Sequence, residues 1–337
     1  MSEVKENISL KPYNTFGIEA SARLFAKCST IQELMEVLKN PKYRKYKKLI
    51  LGGGSNILFT KDFSGLVIKN SITGKKIVEE NDDTVTINVG AGEDWDEFVE
   101  YTVKNDWRGL ENLSYIPGNV GASPIQNIGA YGEEVKNTIK EVETIDLEKL
   151  EKVVYQNEDC RFGYRRSIFK QELKNKRLIT HVTFVLQKKH IFNLEYGALE
   201  ETVKQKGDIT LQNIRDSVIA IRKNKLPEPE ELGSAGSFFK NPVIGKDTLK
   251  NLLKEFPNIP YYEMSPNEIK IPAGWLIDQL GWKGYREGYA GVHKKQALVL
   301  VNYGKANGKE IFQLSQKILR SVKEKYGIEL EYEVNIF

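Results

Sequence analysis

Apolar positions recur at helical spacing through residues 31–38. Ile31, Leu34, Val37 and Leu38 make one stripe, and Thr30 with Glu33 forms a capping box ahead of it. This predicts a helix between two strands, the second of which (48–51) runs into Gly52-Gly53-Gly54-Ser55-Asn56. The pattern stays strand-like through ILF and LVIK, and TVTINV at 84–89 alternates with period two. Residues 95–103 read as a helix. A turn-rich stretch follows at 116–132, IPGNVGASPIQNIGAYG, with four glycines and two prolines. Strands return between 141 and 186, most clearly at 179–186. A helix from Ile214 to about Asn224 puts Ile214, Val218 and Ile221 on one face and stops before Pro227. The PEPEEL segment after it reads as an exposed turn. Asn307 with Glu310 caps another helix, whose Ile311, Leu314, Ile318 and Val322 face a core, and an alternating strand at 328–336 closes the chain. Strands mixed with helices and long glycine loops predict an α+β protein, with breaks near 70 and near 212.

Composition narrows the class. With 337 residues, 40% of them hydrophobic and 28% charged, the chain is too long for one small core and calls for two or three subdomains. Lys and Arg total 50 against 46 Asp and Glu, and a net charge of +4 spread so thinly does not argue for nucleic acid. The densest basic run, KYRKYKK at 42–48, reads as a solvated helix end or loop rather than a phosphate patch. Cys28 and Cys160 imply no disulfide framework, and His181, His190 and His293 lack metal-ligand spacing. The start, MSEVKENISL, has no basic region followed by an apolar run, and no uncharged apolar stretch is long enough to span a membrane. The expectation is a cytoplasmic protein with reduced thiols and no bound metal.

Two glycine loops carry the chemical signal. GGGSN leaves a strand as a phosphate-approaching loop does, because glycine allows positive φ and close approach of backbone N–H groups to an anion. It is not G-x-G-x-x-G and no helix follows at once, so a Rossmann reading fails, and there is no Walker A sequence. Alone, GGGSN serves a tight turn as well as a ligand loop. The second loop shifts the balance, because Gly118, Gly121, Gly129 and Gly132 fall among Asn119, Ser123, Gln126 and Asn127 in a stretch too apolar to be disordered. The pair suggests a large cofactor held by backbone donors.

These loops belong to a longer ordered set. Asn14-Thr-Phe-Gly17, GGGSN, the 116–132 stretch, Cys160-Arg-Phe-Gly-Tyr-Arg165, Gly236-Ser-Phe-Phe-Lys-Asn-Pro242, Ala273-Gly-Trp-Leu-Ile-Asp-Gln279, His293-Lys-Lys-Gln-Ala-Leu298 and Leu330-Glu-Tyr-Glu-Val334 occur in one sequence over nearly the whole chain. In this the chain resembles the UDP-N-acetylenolpyruvoylglucosamine reductases, in the branch with a tyrosine-bearing substrate loop. The resemblance implies a vanillyl-alcohol-oxidase-type (PCMH-like) FAD-binding fold in two subdomains, plus an α+β substrate-binding domain. The corresponding boundaries are 1–70, 71–212 and 213–327, with 328–337 returning to the first subdomain. It implies non-covalent FAD, NADPH as reductant, and reduction of UDP-N-acetylglucosamine enolpyruvate to UDP-N-acetylmuramate for peptidoglycan, with hydride passing from flavin N5. A monomer without nucleic-acid or membrane partners is expected.

The same resemblance assigns residues. Ser237 matches the proton donor, a hydroxyl neutral throughout the physiological range and acidic enough for a strongly basic carbanion. Arg165 and Glu333 match the groups aimed at the substrate carboxylate and its developing enolate; Arg165 offers a planar charged fork. FAD is assigned to Gly52, Gly53, Gly54, Ser55, Asn56, Ile116, Pro117, Gly118, Gly121, Ala122, Ser123, Gln126, Asn127, Gly129 and Ala130. The nucleotide sugar is assigned to Tyr131, Tyr164, Tyr196, Lys225, Asn241 and Gln296, with Tyr262 as the capping residue. Read from the residues alone, Ser237 is a turn serine, Glu333 an exposed strand position and Arg165 a surface cation. Arg222 and Lys225, three apart near a helix end, suit a diphosphate and equally the helix dipole. Arg166 and Asn335 depart from the motif, which carries an acid and a base at those places.

Other readings keep part of the pattern. A sugar or alcohol oxidase of the same architecture often attaches flavin through histidine or cysteine, and the glycine loops contain neither. A non-catalytic nucleotide-sugar or nucleic-acid binding protein would be colourless when purified, whereas the reductase is yellow. A serine hydrolase lacks the surrounding GxSxG.

Overall fold

The structure is a computed structural model that describes residues 3–189, 191–228 and 230–337; His190 and Pro229 of the PEPEEL turn lie outside the described residues. The chain forms two compact units, one built chiefly of Ala22–Gly53 and Phe63–Asn224, the other of Ser9–Ser21, Gly54–Asp62 and Lys225–Phe337.

The first unit contains two sheets. In one, the strands lie in the order Val4–Ser9, Ser21–Cys28, Phe63–Asn70, Lys48–Leu51, and Phe63–Asn70 runs parallel to both of its neighbours. Helix Ile31–Lys39 makes the crossover from Ser21–Cys28 to Lys48–Leu51, and Phe63–Asn70 lies between these two strands. Thr30 caps this helix by accepting from the Glu33 N–H, but Glu33 reaches back to the Ser29 N–H, one residue before the cap. Leu34, Val37 and Leu38 pack onto Leu24, Ala26, Leu66 and Ile68, while Ile31, at the helix start, stays exposed. The other sheet is antiparallel throughout, in the order Lys152–Gln156, Ile139–Asp146, Arg177–Gln187, Thr84–Gly90, Lys75–Glu80. Its buried face is covered by helix Trp95–Lys104, where Phe98 meets Phe184 at 5.1 Å between ring centroids. Helix Leu211–Lys225 begins three residues earlier than its apolar stripe suggests, because the Thr210 hydroxyl accepts from the Asn213 N–H and opens the first turn.

The second unit has a four-stranded antiparallel sheet in the order Gly233–Ser237, Val299–Asn302, Ala290–Val292, Arg286–Glu287. A smaller sheet holds Val243–Ile244, Glu268–Lys270 and Tyr262–Ser265. Helix Gly308–Tyr326 buries Ile311, Leu314, Ile318 and Val322 and opens on the full Asn307–Glu310 capping box. Helices Lys246–Glu255 and Ala273–Gln279 were not legible as helices. The closing strand is far shorter than the alternation at 328–336 predicts. Only Asn335–Ile336 is a strand, parallel to Ile57–Leu58. Before it, Tyr332 makes one bridge to Phe239 and stacks on its ring, so this stretch is fixed by aromatic packing. Among the described residues no helix is long and apolar enough to cross a membrane.

Candidate active site

In the first unit the two glycine loops meet backbone to backbone. A Cβ on Gly53 would fall 2.8 Å from Gly118 Cα, and one on Gly121 would fall 2.5 Å from Ala91 Cβ, so both positions admit glycine alone. The second loop is laced to the start of helix Trp95–Lys104. The Trp95 N–H donates to Gly118 O (3.0 Å), Val120 N–H to Glu93 O (2.9 Å) and Gly121 N–H to Ala91 O (2.9 Å). Asn119 donates through Nδ2 to Gly92 O (2.7 Å) and Glu93 O (3.1 Å), which fixes the direction of its amide. Its Oδ1 is buried with no hydrogen-bond partner, 3.3 Å from where a Cβ on Gly52 or Gly53 would stand. The Gly53 N–H likewise makes no hydrogen bond among the described residues. A tight glycine floor with an unpartnered N–H donor on it fits a bound diphosphate, whereas the Asn119 acceptor would meet only a donor group of a ligand.

Other loop residues are held from inside. Ser123 is buried and bonds Val120 O; Asn127, in left-handed backbone at φ 44°, donates to Glu134 Oε2 (2.9 Å) and Gly163 O (3.0 Å). Gln126 accepts from Lys170 Nζ, and the Ser167 hydroxyl donates to Ile125 O.

Arg165 belongs to this same unit. Gly163 and Arg166 exchange both backbone hydrogen bonds, so Tyr164 and Arg165 form a two-residue turn, and Arg165 takes φ 51°, a conformation normally left to glycine. Its Nη2 donates to Gly129 O at 2.7 Å, and its guanidinium lies over the Tyr164 ring. Tyr131, also left-handed, sits edge-on to the exposed Tyr196 at 6.0 Å, and burial raises its phenol pKa. Arg222 donates to Tyr115 O at 3.0 Å, and burial lowers its pKa.

In the second unit Thr15 joins two other segments, since its hydroxyl donates to Ser234 O (2.5 Å) and its N–H to Gly54 O (3.2 Å). Gly54, at φ 70°, passes so near Tyr13 that a Cβ would lie 2.0 Å from Tyr13 O. Ser237 ends strand Gly233–Ser237 after an irregularity in the ladder and after Gly236 at φ 68°. It is half-buried, and its hydroxyl makes no hydrogen bond among the described residues. Glu333 is brought alongside, because its N–H donates to Phe238 O at 2.9 Å, one residue from Ser237. Asn56 donates to Glu333 O, and both N–H donors of Asn335 reach Asn56 O at 3.1 Å. Asn241 and Gln296 converge on the start of helix Ala273–Gln279: Asn241 Oδ1 accepts the Ala273 N–H, and Gln296 Oε1 stands 3.1 Å from a Cβ on Gly274. Tyr262 is 52% exposed, with Lys270 Nζ over its ring, and Lys225 is exposed at its helix end.

Several structural residues of the site were missed from the sequence. Asp96 pairs with Arg215 and also accepts the Tyr115 N–H. The available signal was an arginine on the Leu211, Ile214, Val218 stripe of its helix, where a charge needs a partner. Lys69 is the other; it showed itself only as a cation closing an apolar LVIK run.

Residues 22–149 match the family described as "FAD binding domain", and residues 228–337 match "UDP-N-acetylenolpyruvoylglucosamine reductase, C-terminal domain". A UDP-N-acetylenolpyruvoylglucosamine reductase of Flavobacterium johnsoniae is 50% identical over 99% of both chains. One from Bacteroides fragilis is 45% identical over 98% of this chain and 99% of its own. The crystal structure of UDP-N-acetylenolpyruvylglucosamine reductase from Thermus caldophilus, 24% identical, matches all of both chains with a TM-score of 0.70, a likeness of fold.

Proposed function

Since this chain belongs to the UDP-N-acetylenolpyruvoylglucosamine reductase family, we propose that it reduces UDP-N-acetylglucosamine enolpyruvate to UDP-N-acetylmuramate, using FAD and NADPH, for peptidoglycan synthesis. The proposal includes a monomeric enzyme working in the cytoplasm, where NADPH is met.

Bound flavin supplies the hydride exchange between NADPH and the enolpyruvyl double bond. The glycine floor formed by Gly52, Gly53 and Gly118 is suited to hold the cofactor by its diphosphate. Hydride addition at the methylene carbon leaves carbanion character beside the carboxylate. Ser237 gives its hydroxyl proton to that carbon. The supporting observation is a half-buried hydroxyl with no protein partner among the described residues, set by the left-handed Gly236 just before it. Arg165, whose guanidinium is oriented by Gly129 O, takes the carboxylate and the charge that grows on it. Glu333 assists from the segment bonded to Phe238. Tyr131, Tyr164, Tyr196, Lys225, Asn241 and Gln296 hold the nucleotide sugar, and Tyr262 caps it.

The test is Ser237→Ala, followed as two half-reactions. Flavin reduction by NADPH should stay at the parent rate, while oxidation of reduced enzyme by the enolpyruvyl substrate should fall by several orders of magnitude. Equal loss of both would reject the proton-donor role, and a colourless protein would reject the flavoenzyme reading.

A further inference from the structure

Lys69 lies near the end of strand Phe63–Asn70, opposite Leu51 in the parallel ladder, at the point where the neighbouring strand runs out into Gly52. Its side chain is half-buried, and its ammonium donates to Gly52 O at 2.6 Å. No carboxylate is within ion-pair distance of it among the described residues. Lys27 stands in register on the other neighbouring strand, so a second cation shares that face. Burial and Lys27 together push the Lys69 pKa below that of an ordinary lysine. A cation held this way costs folding free energy, and a nearby anion offsets that cost.

The acceptor it has is informative. Gly52 O and the Gly53 N–H are the two ends of one peptide group. An ammonium on the oxygen withdraws charge from the peptide and makes its N–H a better donor. That N–H makes no hydrogen bond among the described residues, and the Gly53 Cα is pressed against Gly118 with no room for a side chain. The peptide is therefore fixed at its oxygen, closed on its α-carbon side, and open only at its donor.

We propose that Lys69 is a positioning residue of the dinucleotide site, holding and polarising the Gly52–Gly53 peptide so that the Gly53 N–H binds the anionic diphosphate. This rests on the flavin-binding reading and adds a residue, outside both glycine motifs, that acts through the backbone.

Apoprotein freed of flavin would be titrated with FAD and with riboflavin, which has the ring system but no phosphate, following flavin fluorescence. Lys69→Met should weaken FAD binding roughly 10- to 100-fold, the loss of a charge-assisted hydrogen bond. Riboflavin affinity should stay within about twofold, because no anion is involved. Lys69→Arg, which keeps the charge, should hold FAD within about threefold of the parent. If Lys69→Met does not fold, Lys69→Gln, neutral but still a donor, carries the same comparison and should lose FAD selectively. The proposal is overturned if folded neutral variants bind FAD as the parent does, or if FAD and riboflavin weaken alike. Parent apoprotein that binds no FAD would instead remove the flavin reading itself, a result separable from any effect of Lys69.

Discussion

Truncating Arg215 should unsettle the second glycine loop from a distance. Arg215 is 8% exposed and holds Asp96 through two bonds, Nη1 to Oδ1 at 2.6 Å and Nη2 to Oδ2 at 2.8 Å. Asp96 Oδ1 also accepts the N–H of Tyr115, whose left-handed backbone leads into Ile116 and Pro117. Arg215→Ala strands a carboxylate and leaves a void. Removing one partner of a fully buried pair costs about 3–5 kcal/mol, but Asp96 is 24% exposed and water can reach it, so about 2–4 kcal/mol is expected here. For a unit of about 200 residues this lowers the melting temperature by roughly 5–15 °C. Calorimetry on the apoprotein gives the number. The double variant Asp96→Leu with Arg215→Met removes both charges and refills the volume, so it should recover about 1–3 kcal/mol, leaving mainly the unmet Tyr115 N–H. A shift under about 2 °C for Arg215→Ala, or a double variant no better than the single one, would refute the reasoning.

Further outcomes follow from local geometry at three residues. Gly53→Ala drives a methyl into Gly118 Cα, so about 1–3 kcal/mol of strain should spread the two loops, read as weaker FAD binding by the refolded apoprotein. The buried Cys160 thiol is pushed up to about 12 by burial first and Asp159 second, so it should stay unlabelled by a thiol reagent at neutral pH until the chain unfolds. Because the unfolded thiol ionises near pH ~8.5, Cys160's contribution to stability is intact below that pH and lost as pH rises toward 12, measurable as a falling urea midpoint. Asn307→Ala removes half of the capping box on a 19-residue helix and should cost about 1 kcal/mol by urea titration.

Short-range signals carried much of the fold. The Ile31–Lys39 and Gly308–Tyr326 helices were readable because a cap and a 3.6-residue stripe coincide in each. The Thr84–Gly90 strand was readable from alternation over a buried face. The alternation at 328–336 misled because Tyr332 and Glu331 meet residues 239 and 240, about ninety positions away, and that pairing leaves no local trace. Helix Ala273–Gln279 starts on Asn241 Oδ1, a cap supplied by a distant residue. The glycine loops announced themselves, yet what fixes them did not: Asp96 and Arg215 are 119 residues apart, and Lys69 is one cation in an apolar strand.

The two departures from the family motif can be judged by what each side chain touches. Arg166 is exposed and donates through Nε to Gln171 at 2.7 Å. Asn335 puts its amide on Asn56 O, beside its own backbone N–H bond to the same oxygen. Each departure thus has a hydrogen-bond partner within its own unit. Arg165 is oriented by a main-chain carbonyl, Gly129 O, and by a turn that Gly163 and Arg166 close through backbone atoms. Glu333 is placed by its N–H on Phe238 O and by Asn56 on its carbonyl. Main-chain bonds of this kind survive a change of side chain at position 166, whereas the Asn335 amide donates to the main-chain oxygen of Asn56, the residue that holds Glu333. Drift at 166 is therefore cheap, and at 335 it is coupled through Asn56 to the placement of the candidate catalytic carboxylate.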